Sequence, residues 1–141
     1  NMDAAQDEVR LVTRLLTPYL INCREHFDAE HLGLMFMYLC NKSSDVVEVE
    51  RVVRALIPVV RDCYQDLDTA EVVQIIQGLQ NMKSSNAQVA QLLAMITIKV
   101  NATTKKLARE PIVNALTLWK NMDEASQEVG AFRAMINQKA V

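Results

Sequence analysis

Three side chains that bind metals, Cys23, His26 and His31, fall within nine residues in the stretch CREHFDAEH. Thiolate and imidazole are the usual ligands of zinc, so the spacing raises a metal site as a candidate. Two acidic pairs, Asp7–Glu8 and Asp123–Glu124, could share acid–base work, but only if the fold brought opposite ends of the chain together. Basic residues gather in two places. Arg10, Arg14, Arg51, Arg54 and Arg61 form one group, and Lys105, Lys106 and Arg109 follow the threonines of TTKK as a second. Both groups could meet phosphates or acidic side chains. A glycine-rich phosphate loop, a nucleophile elbow and an H-E-x-x-H pair are all missing from the sequence. The expectation is a non-enzymatic chain with no cofactor and no small-molecule substrate.

What positions these residues is a repeat. Asn41, Asn81 and Asn121 each close an apolar stretch, at intervals of 40. The same shift aligns Leu32/Val72/Ile112, Met35/Ile75/Ala115, Phe36/Ile76/Leu116 and Leu39/Leu79/Trp119. Within each repeat these positions follow i, i+3, i+4, i+7, one face of a helix. This first helix of the pair is expected at 29–41, 69–81 and 109–121. A second register aligns Val9/Val49/Val89/Val129, Val12/Val52/Leu92/Phe132 and Leu16/Leu56/Ile96/Ile136. It predicts the partner helix, beginning near residues 5, 46, 86 and 126. Pro18 and Pro58 share one position in it, and proline inside a helix removes a hydrogen bond, so a kink or a split is expected there. Asp28 and Asp68 stand as N-caps of the first helix, DTAE at 68–71 has the form of a capping box, and the KSSD, KSSN and DEAS connectors supply turns and N-caps for the second.

The chain thus divides into a half repeat at 1–28 and repeats at 29–68, 69–108 and 109–141. Only 3 Gly and 3 Pro among 141 residues, with half of the residues hydrophobic, fit an all-α protein. Helix pairs that each carry an unburied apolar face must stack. The expected architecture is a right-handed α-solenoid of the armadillo/HEAT-like class, possessing a 40-residue repeat and forming all or part of an array. No apolar run reaches the length that crosses a bilayer, and no membrane partner is expected. The formal charge of −2 provides no domain-wide basic field for a polyanion. Three cysteines without framework spacing suggest reduced thiols in an intracellular compartment.

The register also weighs the candidate sites. Cys23 aligns with Cys63 and Thr103, a small packing position, and His26 with Asp66 and Lys106, a solvated one. Metal binding is therefore not expected, and the acidic pairs read as caps on helix N-termini. Arg14 and Arg54 share a position and should stack in a row along successive helices. They either contact RNA or an acidic partner, or pair with neighbours such as Glu50 and Asp62. HLGLMFMYLC (31–40) adds Leu34, Met37, Tyr38 and Cys40 to the usual apolar face, so this helix needs a further contact from the next repeat or from a partner protein. The asparagines are either C-terminal caps in the left-handed conformation or a ladder of amides for an extended peptide.

TAEVVQIIQGLQNMKSSNAQVAQLLAMITIKV (69–100), ALIPVVRDCYQDLDTAEVV (55–73) and LLTPYLINCRE (15–25) resemble the α-helical repeats of protist organellar proteins. In that family a GLQNM helix end precedes a V-ALL-AL-P-V helix and a CRE turn. The repeats at 29–68 and 109–141 depart from the pattern with YLCNK and LWKNM. Such proteins serve mitochondrial RNA processing, including the accessory complexes of kinetoplastid RNA editing. The resemblance implies a mitochondrial scaffold or recognition module, whose partners are other proteins of an assembly, with RNA as a further ligand.

Overall fold

A computed structural model of the protein describes residues 28–141. The first half repeat, with Arg10, Arg14, Pro18, Cys23 and His26, lies outside the described residues. Within them six helices follow one another: α1 (Ala29–Leu39), α2 (Val47–Asp62), α3 (Thr69–Gly78), α4 (Ala87–Asn101), α5 (Arg109–Leu116) and α6 (Gln127–Lys139). The described residues contain no strand, only an isolated parallel bridge between Leu107 and Ala140. The fold is all-helical. The odd helices start at residues 29, 69 and 109 and the even ones at 47, 87 and 127, so both series keep the 40-residue interval.

Caps explain most of the starts. Asp28 accepts from the backbone N–H of His31 at 2.8 Å, and Asp68 from that of Glu71 at 3.1 Å. Each satisfies one of the orphan donors of a first turn. At the same position α5 has Ala108, which has no side-chain acceptor; α5 is also the shortest of the six. Of the expected caps on the even helices only Asn86 bonds through its side chain, to the N–H groups of Gln88 and Val89. Val46 has no polar side chain to offer, and the Ser126 hydroxyl turns to Glu128 at 3.0 Å instead.

The odd helices end earlier than their apolar pattern, at Leu39, Gly78 and Leu116. Their last turns tighten into i→i+3 bonds, such as Lys42 N–H to Leu39 O at 2.9 Å and Met82 N–H to Leu79 O at 3.0 Å. Asn41, Asn81 and Asn121 therefore lie beyond the helices. None adopts positive φ, as no described residue does. The left-handed cap expected of them is not formed, because the tightened turn already satisfies these carbonyls. The split expected at Pro58 is also absent: α2 runs through it to Asp62. The turn beyond the proline carries Val59 and Val60, both fully buried. Their burial offsets a proline penalty of about 3 kcal/mol.

Two rows result. α1 packs on α3 and α3 on α5, while α2 packs on α4 and α4 on α6; α1 also touches α2. One continuous core includes Leu32, Phe36 and Leu39 of α1, Val49, Val52 and Leu56 of α2, and their counterparts in the later helices. Gly78 makes the α1–α3 approach close, since a Cβ there would sit 2.2 Å from the Phe36 carbonyl oxygen.

Hydrogen bonds between repeats recur with the same interval. Ser44 Oγ accepts from Lys83 N–H at 3.1 Å, and Ser84 Oγ from Asp123 N–H at 2.9 Å. At the other end of the even helices, Lys99 Nζ donates to the Cys63 carbonyl and Lys139 Nζ to the Thr103 carbonyl. Cys63 and Thr103 are both buried, as a small packing position should be, and Thr103 Oγ1 donates to Leu67 O at 3.0 Å.

Candidate functional site

The apolar candidates on α1 separate. Tyr38 packs against the core, half-buried, and Lys42 Nζ stands 5.0 Å from its ring centroid. Met37 is half-buried, whereas Leu34 remains 55% exposed. The all-round apolarity of α1 is thus partly absorbed by the molecule itself, and Leu34 is the side chain left in water.

Arg51 and Arg54 project from α2, exposed, and neither pairs with another described residue. Glu50, the expected partner of Arg54, accepts from Asn86 Nδ2 at 3.1 Å instead. Arg61 does pair, donating to both carboxylate oxygens of Asp62 at 2.9 and 3.2 Å, and these bonds raise its pKa further. Along the row the Arg51 position becomes Gln91 and Ala131, and the Arg54 position Ala94 and Ala134. Within the described residues this unpaired charge is therefore confined to α2.

The segment 103–109 does not form one basic patch. Thr104 gives both its N–H (3.0 Å) and its hydroxyl (2.7 Å) to Asp66. The hydroxyl bond first, and the N–H bond second, hold the Asp66 carboxyl below its usual pKa. Lys105 sits in an open notch among Asp28, Glu30, Asp66 and Glu71, and Lys106 points to solvent. Arg109 caps α6, donating from Nη2 to the Asn137 carbonyl at 2.8 Å and the Ala140 carbonyl at 3.2 Å. A cation there suits the helix dipole.

The asparagines share an edge but not a task. Asn81 Nδ2 donates to the Cys40 carbonyl at 3.0 Å, beside Gln80 Nε2 at 2.9 Å. Asn121 takes part through its backbone, accepting from Ser84 N–H at 3.2 Å. Asn41 is exposed. Among the metal candidates His31 is exposed, its Nδ1 2.7 Å from Asp28 Oδ1; no group of three or more His, Cys, Asp or Glu among the described residues is placed to hold a metal ion. The Asp28 carboxyl is held low mainly by the N–H of His31, against a smaller opposing effect of burial. Asp123 accepts from Ala125 N–H at 2.9 Å, in the connector before α6. No helix among the described residues is long and apolar enough to cross a membrane.

One surface had no forewarning in the sequence. An open groove between α5 and α6 is lined by Val113, Leu116, Thr117, Trp119, Arg133 and Asn137. Its signal was present only as a departure from the register, where Arg133 takes the place of Val53 and Leu93. Comparison of the chain with protein-family models, with curated proteins and with solved structures gave no match.

Proposed function

We propose that the protein is a non-catalytic scaffold or recognition module, built as a short right-handed α-solenoid of the armadillo/HEAT-like type. It works within a mitochondrial RNA-processing or RNA-editing assembly, mainly through protein–protein contacts. The observation that carries the architectural part is the recurrence of inter-repeat bonds at the 40-residue interval, Ser44–Lys83 with Ser84–Asp123 and Lys99–Cys63 with Lys139–Thr103. Stacked repeats of this kind present side chains in rows to extended partners. Leu34 supports protein contact, being a large apolar side chain of α1 left exposed while Leu32, Phe36 and Leu39 of the same helix are buried. The mitochondrial and RNA setting rests on the resemblance of residues 55–100 and 15–25 to organellar helical repeats.

A second reading, direct RNA binding, is favoured by one observation, the exposed Arg51 and Arg54 with no ion pair among the described residues. Purification of the tagged protein from mitochondrial extract, with and without RNase, tests both. The scaffold reading expects partners that survive RNase, that are lost in Leu34→Glu or Met37→Glu, and that persist when Arg14, Arg51 and Arg54 become Glu. Loss of all partners on RNase treatment and in the arginine variant would overturn it in favour of RNA. Direct binding would then weaken steeply with salt, log K falling by roughly 0.7 per phosphate neutralised on a single strand per decade of salt.

A further inference from the structure

We draw no further inference here: the strongest candidate, the solvent-facing side of α2 and α4, which carries the exposed Arg51 and Arg54 together with Val47 and Ile98 left 60% and 65% in water, suits a carboxylate-bearing protein segment and a phosphate-bearing strand equally, and nothing in the structure shows which of them covers it.

Discussion

Ser44 and Ser84 do the same work 40 residues apart, each accepting a backbone N–H from the following repeat. Ser44 is 3% exposed, and Ser44→Ala leaves the Lys83 N–H without the acceptor it has in the neighbouring repeat. The expected loss is about 1–3 kcal/mol in urea unfolding. Ser43→Ala should cost less, because its hydroxyl bonds only to Asp45 N–H in an exposed turn. These serines were legible in sequence as turn and cap residues of the KSS connectors. Their partner lies a whole repeat away, and a local motif does not register it. The carboxylates give a second test. Asp66 has its folded pKa lowered by Thr104, so its contribution to stability is present above the unfolded aspartate value and is lost as pH falls through the folded one. Asp66→Asn should therefore flatten the fall in the urea midpoint between about pH 5 and pH 2. An unchanged acid limb would mean that the Thr104 bonds contribute nothing.

The helices themselves were the most legible part of the chain, because a face repeating at i, i+3, i+4, i+7 needs no knowledge of the neighbours. Leu79 and Leu93 are both buried to 1% or less. Alanine at either should cost about 2–5 kcal/mol, while alanine at the half-buried Gln77 or Gln88 should cost far less; equal effects at all four would mean a wrong register. Helix ends were read too late, since the apolar pattern continues into the i→i+3 turns through the buried Met82 and Met122. Close approach was not legible at all. Gly78 and Gly130 look alike in sequence, yet alanine at 78 meets the Phe36 carbonyl while alanine at 130 has only the Glu124 carbonyl, 3.8 Å away. Gly78→Ala should lose about 1–3 kcal/mol, overriding its better helix propensity. Gly130→Ala should gain about 0.5–1 kcal/mol, both measured by thermal or urea unfolding.

For the whole molecule the interval of 40 was readable because it is written many times over, at Val49, Val89 and Val129 as much as at the asparagines. The surfaces were harder, because function on a repeat protein sits in the departures. Arg51 and Arg54 have no ion pair among the described residues while Arg109 serves as a cap, and formal charge alone distinguishes none of them. The Ser–backbone bonds near the start of the even helices and the lysine–carbonyl bonds at their far ends have a joint effect. Each interface between neighbouring pairs is fastened at both edges, so it resists twisting and shear as a single plate. Stretched by its ends in a single-molecule trap, the chain should therefore yield in discrete jumps, each releasing one pair and roughly 130–145 Å of contour length. A smooth, stepless extension would mean that the two edges give way separately and that the array behaves as a loose spring.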